Sequence, residues 1–97
     1  MSYVVLPSFE VAEGDLDAFL AAARADAEAS LASEPGCLQF DIAVNREMSP
    51  ASVVFYEVYA DRAAFDRHLG TPHLEAFRAS LHLCREGPVL FFDRVAP

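Results

Sequence analysis

FYEVYADRAAFDRHLGTPH, residues 55–73, decides the fold, because within this one span a strand gives way to a helix and that helix to another. From Phe55 to Tyr59, aromatic and β-branched residues flank a single acid, Glu57, in the alternation of a half-buried strand. Asp61 is placed to cap a helix on which Ala63, Ala64, Phe65 and Leu69 follow at helical spacing. Gly70 and Pro72 break that helix, while Thr71 offers a cap for the next, with Pro72 at its first position. His68 therefore closes one short helix and His73 opens another, so two potential bases stand beside apolar walls.

Working outward, Tyr3 to Phe9 alternates as a first strand, and Asp15 to Ser33 carries Leu16, Phe19, Leu20, Ala23, Ala27 and Leu31 as one apolar helical stripe. Glu34-Pro35-Gly36 ends the helix. A second strand, Cys37 to Asn45, sets Leu38, Phe40, Ile42 and Val44 against Gln39, Asp41 and Asn45 on its other face. After the Met48-Ser49-Pro50 turn, Ser52 to Ala60 is its hairpin partner. The second of the two later helices runs from Pro72 to about Cys84, and a last strand spans Val89 to Val95. The order βαββαβ is the ferredoxin-like α+β arrangement, an antiparallel sheet with helices on one face, expected here as a single domain over residues 1–97.

A chain of 97 residues buries roughly two thirds of its unfolded surface, enough for one core. The net charge of -8, with no Lys and with Arg scattered from Arg24 to Arg94, excludes a phosphate-binding stripe and so a nucleic-acid partner. Cys37 and Cys84 form no CxxC pair and fit reduced packing thiols of a cytoplasmic protein. No apolar run reaches the length of a membrane span, and a strand begins almost at Met1, so neither insertion nor export is expected.

Both sheet faces are apolar. On the third strand Val54, Tyr56 and Val58 oppose Phe55, Glu57 and Tyr59, and on the fourth Val89 and Phe91 oppose Leu90 and Phe92. Helices cover one face, so the other is expected to meet a second copy of the chain.

The segment Glu34-Pro35-Gly36-Cys37-Leu38-Gln39-Phe40-Asp41, the strand end Phe55–Asp61 and the motif His68-Leu69-x-Thr71-Pro72-His73 together resemble the antibiotic biosynthesis monooxygenase family, which includes quinol monooxygenases and the autoinducer-2-phosphate isomerase. The resemblance implies a dimeric α/β barrel and oxygenation without metal or flavin. In that chemistry a base deprotonates an electron-rich phenol or anthrone, and the anion itself donates an electron to dioxygen.

Histidine suits the base role because its unperturbed pKa lies near neutrality. The resemblance places His68 and His73 at the family's pocket beside Tyr56, whose hydroxyl would orient a substrate oxygen; Glu57 would hold a histidine tautomer, and Phe40 and Phe65 would line an aromatic cavity. Each also has a plainer reading: helix capping for the histidines, core packing for Tyr56 and the phenylalanines, an arginine partner for Glu57. His82, late in the second helix, carries no motif.

A metal site is not expected, since His68 and His73 are five apart with Pro72 between them and neither Cys nor a carboxylate cluster completes a ligand set. No glycine-rich dinucleotide motif is present, and the absence of Trp argues against the haem-degrading relatives of this fold. The expected protein is thus a cofactor-free monooxygenase of a small aromatic or quinol-like substrate and dioxygen, acting as a homodimer. The alternatives are an isomerase of a small hydroxy-ketone phosphate, weakened by Gln39 where a cation would be wanted, and a binding protein without turnover.

Overall fold

The computed structural model describes all 97 residues. Its elements are β1 (Tyr3–Val11), α1 (Leu16–Ser33), β2 (Cys37–Asn45), β3 (Ala51–Tyr59), α2 (Arg62–His68), α3 (Pro72–Arg78) and β4 (Arg85–Asp93), with single 3-10 turns at Glu13–Asp15 and Leu81–Leu83. The strands form one four-stranded sheet in the order β2-β3-β1-β4, every pair antiparallel. This is the expected ferredoxin-like layout.

Local chemistry explains the helix boundaries. Asp61 Oδ1 accepts from the Ala64 amide at 2.8 Å, and Thr71 Oγ1 accepts from the Leu74 amide at 3.3 Å, so both expected caps hold orphan donors. Thr71 also donates its hydroxyl to the His68 carbonyl at 2.8 Å, which ties the end of α2 to the start of α3. The second helix stops at Arg78 instead of reaching Cys84. Ser80 is the cause: its amide and hydroxyl both donate to the Phe77 carbonyl, at 2.8 and 2.6 Å, closing a tight turn in place of a further α turn.

β4 begins at Arg85, four residues before the expected Val89, because its pairing with β1 extends through an irregularity between Pro7 and Phe9 to Glu10↔Arg85. Gly87 makes that extension possible. A Cβ there would lie 2.5 Å from Ser8 Oγ, closer than packed atoms allow.

The core lies between the sheet and α1. Phe9, Phe19, Phe55 and Phe77 form its aromatic centre, with Phe9–Phe55 ring centroids 4.8 Å apart and Phe19–Phe77 5.7 Å apart. Two expected core residues are corrected. Leu31 is exposed while Ser30 is buried, since the helical stripe drifts toward Asp26 and Ser30 by the end of α1. Leu38 is exposed because a bulge between Cys37 and Gln39 turns it out of the alternation.

The sheet face away from the helices carries Val54, Tyr56, Leu90 and Phe92, all exposed, with Phe92 at 51%. No helix is long and apolar enough to cross a membrane.

Candidate active site

The turn after α1 aims an acid inward. Pro35 excludes the α conformation from Glu34, which adopts φ -106° and ψ 105°, leaving the helix with its side chain pointing toward α2. Gly36 lets α2 approach that turn, since a Cβ at position 36 would meet the Ala64 Cβ at 2.5 Å. The approach brings His68 Nδ1 to within 2.8 Å of Glu34 Oε2, and the α2–α3 connection brings His73 Nε2 to within 2.5 Å of the same oxygen. One carboxylate, drawn from a different part of the chain, thus joins the two histidines.

Beside this trio opens a largely apolar cavity of about 180 Å³ between the helices and the β1–β4 edge of the sheet. His68, 2% exposed, stands in its wall with Phe65, Phe55 and Phe77, and Glu57 and Asp26 also line it. His68 Nε2, the nitrogen turned away from Glu34, lies 3.9 Å from Glu57 Oε1. Tyr59 donates its hydroxyl to that oxygen at 2.5 Å.

The electrostatics assign distinct protonation states to the acids. Burial pushes the Glu57 carboxyl up to about 8, outweighing the Tyr59 hydrogen bond, so it is a neutral acid at pH 7. Burial also raises Asp26, opposed by the neighbouring His68 and His73. Burial would raise Glu34 too, but the hydrogen bonds from His68 and His73 prevail and hold its carboxyl below the ordinary range. Glu34 is therefore the ionised member. Cys37 is pushed up by burial to about 12, which leaves an inert thiol and supports the packing role expected for it.

The expected site residues separate. His68, Glu57 and Phe65 line the cavity. His73 does not; it reaches His68 through Glu34, with the two imidazole centroids 5.9 Å apart. Phe40 is buried behind the site, its ring 6.3 Å from that of His68. Tyr56 lies apart from these residues: strand alternation puts it on the opposite sheet face from Glu57, 37% exposed and outside the lining of this cavity. His82 is exposed with Nδ1 against the Ala79 carbonyl at 3.0 Å, as its lack of a motif suggested.

Sequence reading missed Glu34, Asp26 and Tyr59. It also missed that a carboxylate completes a three-donor cluster, since donor atoms of Glu34, His68 and His73 lie within 4.8 Å of one another. The available signal was polar residues Asp26, Ser30 and Glu34 at i, i+4 and i+8 on the helix's apolar side.

The family profile described as "Antibiotic biosynthesis monooxygenase" matches residues 2–80. Among solved structures, the "Putative antibiotic biosynthesis monooxygenase from Nitrosomonas europaea" superposes with a TM-score of 0.89 at 28% identity, covering 99% of this chain and 92% of that one. A similarly described protein from Caulobacter crescentus gives 0.86 at 23% identity over 98% and 91% of the two chains, a likeness of fold alone. The Synechocystis protein sll1783 is 34% identical over 74 residues, 76% of this chain and 49% of its own, so this chain spans about half the length of that relative.

Proposed function

The chain belongs to the antibiotic biosynthesis monooxygenase family, and from that premise we propose that it oxygenates a small phenolic or quinol-like molecule without a cofactor, with His68 as the base. The observation that carries this reading is the placement of His68: Nδ1 meets an ionised carboxylate, while the ring lines a largely apolar cavity with Nε2 on the side of Glu57. Glu34 accepts the Nδ1 hydrogen, which selects the tautomer whose Nε2 lone pair is free to take a substrate proton.

A substrate hydroxyl gives its proton to Nε2, and the phenolate so formed passes one electron to dioxygen. Carbon–oxygen bond formation between the resulting radicals yields a hydroperoxide, and loss of water leaves a quinone: phenol plus O2 gives quinone plus H2O. Neutral Glu57, beside Nε2, is the group that donates a hydrogen bond to a substrate oxygen. Since an apolar cavity of about 150 Å³ holds benzene, a cavity of about 180 Å³ suits one substituted ring.

Oxygen uptake measured against a panel of hydroquinones and anthrones tests the reading, with one labelled oxygen atom from 18O2 expected in the product and one in water. Absence of uptake across the panel rejects it. Arg78, the guanidinium at the cavity wall, favours a second reading as a hydroxy-ketone phosphate isomerase, since it could hold an anionic group; turnover without oxygen consumption is that reaction's signature.

The same proposal includes a homodimer. Val54, Tyr56, Leu90 and Phe92 are exposed together on the outer sheet face, and burying what each leaves exposed would contribute roughly 0.5 to 1.5 kcal/mol. Light scattering is expected to report twice the 10.6 kDa chain mass at micromolar concentration, and a monomer there contradicts it.

A further inference from the structure

We propose that Glu34, His68 and His73 bind one divalent transition-metal ion of the zinc class, and that this ion and the proton-accepting state of His68 are mutually exclusive. The binding claim goes beyond the oxygenase reading; only the consequence for the base rests on it.

The donor set comes from three elements: Glu34 at the exit of α1, His68 at the end of α2 and His73 in the first turn of α3. Two imidazoles and a carboxylate suit a borderline cation such as Zn2+ and leave a fourth position for water. Zinc bonds of about 2.0 to 2.2 Å at tetrahedral angles set donors about 3.3 to 3.5 Å apart. The present separations from Glu34 Oε2 are 2.8 Å to His68 Nδ1 and 2.5 Å to His73 Nε2, and all three donors lie within 4.8 Å of one another, so admitting an ion requires the carboxylate to withdraw from both nitrogens.

The ionised carboxylate of Glu34 is the charge that would attract a cation. Glu34 forms ion pairs with no arginine, only with the two histidines. Asp26 and neutral Glu57 line the cavity side, and Arg67 lines the hollow beside Glu34. Behind the ligands, His68 Nε2 points toward Glu57 Oε1 at 3.9 Å, and Tyr59 fixes Glu57. A carboxyl facing the second nitrogen of a ligating histidine is the arrangement that orients such ligands. The hollow lined by Glu34, Gly36, Ala64, Arg67 and Thr71 reaches the site at Glu34, the one ligand of the three that lines it.

The consequence follows from the chemistry of imidazole. An ion on Nδ1 takes that nitrogen's lone pair, so the ring's remaining proton must sit on Nε2, where a base needs a lone pair. Metal occupancy therefore turns Nε2 from acceptor into donor.

Metal-free protein titrated with Zn2+ by calorimetry, and with Co2+ by visible absorption, tests the site. One ion per chain is expected, with His73→Gln and Glu34→Gln each weakening binding at least tenfold at unchanged circular dichroism and His82→Ala leaving it unchanged. No stoichiometric binding at 100 μM metal overturns the proposal, as does binding that survives both substitutions. If oxygen uptake is found, Zn2+ should inhibit it at the concentration that fills the site, and inhibition without that correspondence overturns the exclusivity. Since the titration needs no substrate, failure of the oxygenase reading leaves the binding result standing.

Discussion

Replacing Glu57 with glutamine is expected to flatten a steep loss of stability between pH 4.5 and about 8. Below the ordinary value both folded and unfolded chains carry this proton, so its stabilising contribution is fully present there. Above it the unfolded chain releases the proton while the folded chain retains it until about pH 8, and stability falls by up to about 1.4 kcal/mol per pH unit. Across the window the ceiling is roughly 5 kcal/mol, because Glu57 is only 3% exposed and water does little to screen it.

Glutamine keeps the shape and its amide oxygen can accept from the Tyr59 hydroxyl, but it has no proton to lose. Asp26, whose carboxyl is also raised, contributes a slope of the same sign that remains in Glu57→Gln. Glu34 acts in a separate window: its lowered carboxyl stabilises the fold above the ordinary glutamate value, and that contribution is lost as pH falls through the folded value. Calorimetric melting at half-unit pH intervals measures the difference, and identical slopes for variant and wild type would show that Glu57 is not held neutral by burial.

His68→Ala is expected to lower kcat for oxygen uptake by about 100- to 10,000-fold, with a smaller change in KM, since a general base acts on the proton in flight. Truncating a side chain that is 2% exposed could also weaken the fold. His68→Asn separates the effects, because its amide can still donate to Glu34 yet cannot accept a substrate proton. His73→Ala should lower the rate less, because His73 does not line the cavity and acts by holding Glu34. His82→Ala should change nothing. A full rate in a folded His68→Asn variant removes His68 from the base role.

The caps show what was readable. Asp61 and Thr71 cap their helices as expected because a capping side chain binds an amide two or three residues ahead, a relation contained in local sequence. The end of α3 was not readable, because Ala76 to Cys84 has helical spacing and only the bond of Ser80 to the Phe77 carbonyl shows that the backbone tightened. The outward turn of Leu38 depends on a bulge, and a bulge shifts every later residue's face without marking the residues themselves.

By itself the sequence determined the element order, the helix caps and the antiparallel α+β layout, and it marked His73 and His68 as candidate bases without choosing between them, since each rests on period, spacing or residue type within a short window. Tertiary structure alone decided which side chains meet. Glu34 lies 34 residues from His68 and 39 from His73, and no local pattern encodes a hydrogen bond across that distance. It likewise put Glu57 in the cavity and Tyr56 outside, because alternation separates neighbouring strand residues but cannot say which face the helices will cover. The neutral state of Glu57 belongs to the fold in the same way: desolvation is a property of the packed surroundings, which do not exist until β3, α1 and α2 come together.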